Sequence, residues 1–221
     1  MLRYPCLVLD HDDTVVAREA TVNYPCFLLV MDQFRPGEPH IDLDSFTRWC
    51  FSPGFAELLR QKYHFTPREM EDEFQMWVRY AAKRTPPAYP GIREVILRQK
   101  AEGGKVCVVS HSSRHNILRD YQAHIGIEPD MIFSWEDPEP LRKPSTYPLE
   151  RIMASYGFTP DQLLMVDDLK PGCDMAKSAG VEIAYAGWSR QRVPEIGQKM
   201  RAWCDYSFET PKELETFLFE G

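Results

Sequence analysis

Three short apolar runs, each breaking off at polar residues, constrain the fold more than any other feature of the chain. Leu7-Val8-Leu9 stops at Asp10, Val106-Cys107-Val108-Val109 stops at Ser110, and Leu163-Leu164-Met165-Val166 stops at Asp167-Asp168. Continuous apolar runs of this length, each followed by a helical pattern, mark strands covered on both faces of a parallel sheet. Weaker runs at Met131-Ile132-Phe133 and Val181-Glu182-Ile183-Ala184-Tyr185 follow helical stretches, and Asp205-Tyr206-Ser207-Phe208 fits a last edge strand. The βαβα alternation predicts an α/β fold with a doubly wound, mostly parallel sheet. In such sheets ligands bind outside the C-terminal strand ends, so the polar residues that end the three runs are expected to converge.

Between the first run and Tyr89-Pro90-Gly91 the strand signal disappears and helical patterns take over. The clearest spans residues 67–83, where Thr66 and Glu69 have capping-box spacing and Pro67 takes the first helical position. Shorter helices are expected around residues 20–34, 43–51 and 54–63, with Tyr24, Phe27, Trp49, Phe51, Phe74, Trp77 and Tyr80 forming a core of their own. Pro86, Pro87 and Pro90 punctuate the return. The expected organisation is a core of residues 1–15 and 89–221 with a helical cap, residues 16–88, inserted after the first strand. A second proline group, Pro138, Pro140, Pro144 and Pro148, puts Lys143 in a loop.

A net charge of −7 lacks the basic excess that nucleic-acid binding uses against phosphates, so no nucleic-acid partner is expected. No window approaches the ~18 apolar residues of a membrane span, and the first apolar run is too short for a signal peptide. The six cysteines are dispersed without a CxxC pair, which reads as reduced thiols in a cytoplasmic protein. An anionic ligand would therefore have to find its positive partners locally.

The segment Asp10-His11-Asp12-Asp13-Thr14-Val15 has the pattern DxDxT directly after a strand. Alternate positions of an extended segment put Asp10 and Asp12 on one side, and crowded carboxylates call for a cation or a shared proton. With Val108-Val109-Ser110, Lys143-Pro144 and Met165-Val166-Asp167-Asp168-Leu169-Lys170-Pro171-Gly172, continuing as Ala176-Lys177-Ser178-Ala179-Gly180, the chain resembles the haloacid dehalogenase-like hydrolase superfamily. The acidic pair, glycine and Ala-Gly ending are similar to its phosphoglycolate phosphatase and beta-phosphoglucomutase branch. The resemblance covers the core and implies a Rossmann-like sheet; the insert matches in position and helical character only.

The resemblance also implies roles. Asp10 would be the nucleophile that forms an aspartyl-phosphate, and Asp12 the acid and base that protonates the leaving oxygen and then activates water. Mg²⁺ would be held by the side chains of Asp10 and Asp168 and the carbonyl of Asp12, with Asp167 a direct or indirect ligand. Ser110 and Lys143 would bind the phosphoryl group, and His111, next to Ser110, is a further substrate-binding candidate. His11, His115 and Arg114 fall nearby, whereas His40, His64 and His124 have no ligand spacing.

Two positions depart from the pattern: Asp13 stands where the branch usually has Gly, and Leu169 where a Ser commonly follows the acidic pair. The function implied is a Mg²⁺-dependent phosphatase of a small phosphorylated metabolite, acting as monomer or homodimer. The alternatives are a phosphomutase and a non-catalytic phosphate-binding regulator. Dehalogenation is disfavoured because it needs no second acid and Asp12 is present.

Overall fold

The computed structural model describes residues 2–220. In chain order it runs β1 (Cys6–Leu9), α1 (Tyr24–Phe34), α2 (Leu43–Phe51), α3 (Phe55–Glu57), α4 (Pro67–Ala81), α5 (Ile92–Ala101), β2 (Lys105–Val109), α6 (Arg114–His124), β3 (Met131–Phe133), α7 (Tyr147–Tyr156), β4 (Leu163–Asp167), α8 (Lys170–Ser178), β5 (Glu182–Ala186), α9 (Pro194–Trp203), β6 (Tyr206–Phe208) and α10 (Pro211–Phe219). The chain divides into two units, Met1–Ala17 with Pro87–Gly221, and Arg18–Pro86.

In the first unit six parallel strands form one sheet in the order β3-β2-β1-β4-β5-β6. This is the doubly wound α/β arrangement expected from the alternating pattern, and it sets β1 between β2 and β4 where the strand order reverses. The register explains why the runs are apolar throughout. Leu7, Leu9, Val106, Val108, Leu164 and Val166 pack on one face against Ile92, Val95 and Ile96 of α5, Ile117 and Tyr121 of α6 and Leu214 of α10. The alternate residues Cys6, Val8, Cys107, Val109, Leu163 and Met165 pack on the other face against Leu149 and Ile152 of α7 and Cys173, Met175 and Ala176 of α8. A strand with helices on both faces has no solvent side to mark with polar residues, and each buried aliphatic contributes roughly 1.5–3 kcal/mol.

The residues on either side of the Arg18–Pro86 segment are joined to each other within the first unit. Val16 and Ala88 form an antiparallel bridge, the Ala17 amide donates to the Pro87 carbonyl at 2.9 Å, and the Tyr89 amide donates to Val15 at 3.0 Å.

The second unit is helical. α4 opens on the predicted capping box: the Glu69 amide donates to Thr66 Oγ1 at 3.3 Å and the Thr66 amide to Glu69 Oε2 at 2.8 Å. The core holds Cys26, Phe27, Val30, Met31, Phe46, Leu58, Leu59, Tyr63 and Phe65, with Tyr24, Trp49, Trp77 and Tyr80 packed against it. Phe27 and Phe46 have ring centroids 5.0 Å apart. Phe51 and Phe74 are expected in this core but stay outside it; Phe74 stacks on Trp77 instead.

Two expected α-helices are π-helical in part, over Glu19–Asn23 and Leu58–Lys62. For the first a local cause is visible. Pro25 has no N–H to give the Thr21 carbonyl four residues back, so the usual ladder cannot close there. Among the described residues no helix is long and apolar enough to cross a membrane.

Candidate active site

The ends of β1, β2 and β4 bring together the residues that terminate the three apolar runs. Leu9 pairs with Val166 on one side and Val108 on the other, so Asp10 follows level with Asp167. The Asp10 amide donates to the Val166 carbonyl at 2.9 Å, which extends the β1–β4 ladder by one residue and fixes the nucleophile candidate's backbone. Lys143, from the proline-rich loop, donates from Nζ to Asp10 Oδ1 and to Asp167 Oδ2, each at 2.7 Å. Burial works against the ammonium, but the two carboxylates outweigh it and hold the Lys143 pKa above its ordinary value. Asp167 is pushed upward by its burial, an effect that Lys143 opposes.

Both oxygens of Asp167 already accept hydrogen bonds, Oδ2 from Lys143 and Oδ1 from the Leu169 amide at 2.8 Å. Gly172, in the first turn of α8, allows this: a Cβ there would lie 2.0 Å from Asp167 Oδ2. The motif glycine is thus a space for a carboxylate rather than a turn residue.

Asp168, 1% exposed, turns Oδ2 toward Arg190, whose Nε and Nη2 donate to it at 2.9 and 2.6 Å. Its Oδ1 is buried and has no hydrogen-bond partner among the described residues. Burial raises the Asp168 pKa well above the ordinary carboxylate value; Arg190 counters this, while Asp13, Asp167 and Asp10 add to it. Ligand atoms of Asp10, Asp167 and Asp168 lie within 4.8 Å of one another. Three buried carboxylates at this spacing, one with an orphaned oxygen, are a donor set that suits a hard divalent cation such as Mg²⁺. The Asp12 carboxylate is not in that group. Asp12 sits half-buried in the turn after β1, its backbone bridged to Val16.

Ser110 is 4% exposed, and its Oγ accepts from the Ser112 amide at 3.2 Å. The cap of α6 is Ser113, whose side chain accepts from the Asn116 amide, so Ser110 is not needed as a helix cap. His111 donates from Nε2 to the Lys143 carbonyl at 3.2 Å and meets Trp135 edge-on. His11 is fully enclosed and bonded through Nε2 to Asp120 at 3.1 Å, which makes it an anchor between the β1 turn and α6 rather than a substrate contact. Arg114 donates to the Ile132 carbonyl at 2.7 Å and Lys170 pairs with Asp174.

Arg190 and Asp120 escape sequence reasoning. For Arg190 a signal existed, since it follows β5 by only a few residues and so lies at a C-terminal strand end. Asp120 shows none, being one polar residue within a helix.

The haloacid dehalogenase-like hydrolase family model matches residues 7–186. No curated protein matches the sequence. Solved structures share the fold at low identity. A predicted phosphoglycolate phosphatase from Haemophilus somnus is 16% identical, with a TM-score of 0.76 over 98% of this chain and 99% of that one. A haloacid dehalogenase-like hydrolase from Bacteroides fragilis is 20% identical, with a TM-score of 0.78 over 96% and 99%. A mutant CbbY from Rhodobacter sphaeroides in complex with xylulose-(1,5)bisphosphate is 18% identical, with a TM-score of 0.71 over 96% of each chain. With the family model spanning most of the chain and the acidic strand ends gathered in one place, the chain belongs to the haloacid dehalogenase-like hydrolase family.

Proposed function

We propose that this chain is a Mg²⁺-dependent phosphatase that hydrolyses a small phosphorylated metabolite through an aspartyl-phosphate on Asp10. The observation that carries the reading is the Lys143 ammonium held between Asp10 Oδ1 and Asp167 Oδ2, beside the three-carboxylate cluster. A buried cation on the nucleophile and a buried anionic donor set are what an anion needs in order to attack another anion.

In this reading Asp10 attacks phosphorus, forming an acyl–phosphate bond while the bond to the leaving oxygen breaks. Asp12 gives that oxygen its proton. In the second half Asp12 takes a proton from water, the water oxygen bonds to phosphorus, and the Asp10 carboxylate leaves. Lys143 and Ser110 hold phosphoryl oxygens, and His111 orders the Lys143 loop through its carbonyl bond. Asp10 and Asp168 supply side-chain ligands and Asp12 its carbonyl; Asp167, with both oxygens engaged, orients Lys143 instead. Bound Mg²⁺ supplies charge neutralisation for the phosphoryl oxygens and the carboxylates around them. Residues 16–88 take the role of a cap that selects the leaving group.

The test is release of inorganic phosphate from a panel of phosphorylated metabolites and p-nitrophenyl phosphate, with Mg²⁺ and with excess chelator. Metal-dependent turnover that Asp10→Asn abolishes supports the reading. Turnover unaffected by chelator, or by Asp10→Asn, overturns it.

A further inference from the structure

Arg190 is 5% exposed, and a buried guanidinium requires anions around it. Asp168 is one of them, and Asp13 Oδ2, 3.8 Å from Nη2, is another. The backbone of Asp13 has φ of +60°, a left-handed conformation that glycine adopts freely and that other residues adopt at some cost. Aspartate is among the side chains that tolerate this conformation best, and the Asp13 carboxylate also accepts from Tyr89 Oη, at 3.5 Å. The contact with Asp168 is unusual too. An arginine commonly spreads its fork over both carboxylate oxygens, but here Nε and Nη2 converge on Oδ2 and leave Oδ1 buried without a hydrogen-bond partner.

We propose that Arg190 and Asp13 are a built-in pair of counter-charges on the cation site. Arg190 occupies Oδ2 of Asp168, leaves Oδ1 as the ligand atom, and lowers the negative charge of the site, while Asp13 offsets Arg190 so that a divalent cation still binds. Arg190 acts through Asp168 and is a positioning residue. The proposal rests on the reading of Asp168 as a cation ligand. It makes the affinity of the site a balance between two residues outside the ligand set, and it gives a reason for a third aspartate in the DxDxT turn.

Removing Arg190 leaves Asp13 and Asp168 uncompensated and draws a cation in more strongly; removing the Asp13 charge leaves Arg190 in surplus and weakens binding. The experiment titrates the full chain with Mn²⁺ and follows free Mn²⁺ by electron paramagnetic resonance, with melting curves in chelator to establish folding. Arg190→Met is expected to bind roughly tenfold tighter than wild type, Asp13→Asn roughly tenfold weaker, and the double variant within about threefold of wild type. Arg190→Lys, which keeps the charge but not the fork, is expected to stay within about threefold.

An Arg190→Met protein that binds Mn²⁺ no more tightly than wild type overturns the proposal, as does an Arg190→Lys protein that behaves like Arg190→Met. Should Arg190→Met not fold, unchanged affinity in Asp13→Asn overturns it equally. A wild-type chain that binds no Mn²⁺ overturns the cation reading of the whole site, an outcome distinct from either.

Discussion

Glu73 offers a sharp test of how the helical unit is held together. It sits on α4 and is 6% exposed, and burial alone pushes its carboxyl from the ordinary 4.5 up to about 7. Cys26 on α1 feels it; burial and Glu73 together push that thiol up to about 12, while Arg84 pulls it down. At low pH Glu73 is protonated in both folded and unfolded chains and has no effect on their balance. Between about 4.5 and 7 the unfolded chain has lost the proton and the folded chain keeps it, so stability falls as pH rises. At about 1.4 kcal/mol per pH unit the full loss is about 3.5 kcal/mol, reached above pH 7.

Glu73→Gln keeps the shape and removes the titration. Urea unfolding of both proteins, followed by tryptophan fluorescence from pH 4 to 8.5, is expected to show a difference that is smallest near pH 4 and grows in favour of the variant. It should level off at about 3.5 kcal/mol above pH 7. Other titrating groups cancel in that difference. A difference independent of pH would refute the argument, because it would mean that the carboxyl reaches solvent or a counter-charge in the folded state.

Three further outcomes are expected. Asp12→Ala should accumulate phosphorylated enzyme with p-nitrophenyl phosphate, whose leaving group needs no proton, and little with an alkyl phosphate; acid-quenched labelling reads both. Gly172→Ala puts a methyl group 2.0 Å from Asp167 Oδ2 and should lower kcat more than tenfold, with roughly 1–3 kcal/mol of destabilisation in thermal melts. Replacing residues 18–86 with a short Gly/Ser linker should cost activity on the natural metabolite far more than on p-nitrophenyl phosphate, and equal losses would remove the cap role.

The sheet could be read because its physics is local: a strand buried on both faces is apolar at every position, and it ends where its chemistry begins. Asp10, Ser110 and Asp167 are therefore legible as strand ends, and Thr66 with Glu69 as a helix start. The π-helical turns are not, since they differ from an α-helix by one residue of hydrogen-bond reach, and only the missing N–H of Pro25 marks the first. Asp13 is visible as a departure, but its meaning needs Arg190, 177 positions later, to be brought within 3.8 Å by the order of β4 and β5. Sequence spacing cannot report a contact that a sheet crossover creates.

The bridge between Val16 and Ala88 has a consequence in polymer terms. A chain segment whose two ends are pinned side by side contributes its closure entropy once, and that term rises only as the logarithm of length, about 0.6 kcal/mol for each doubling. The hydrogen bonds that pin the ends, from Ala17 to Pro87 and from Tyr89 to Val15, are made by the backbone and do not depend on which side chains lie between. A loop closed in this way can be lengthened, shortened or rewritten over generations at little thermodynamic expense, while the strand that carries Asp10 keeps its register.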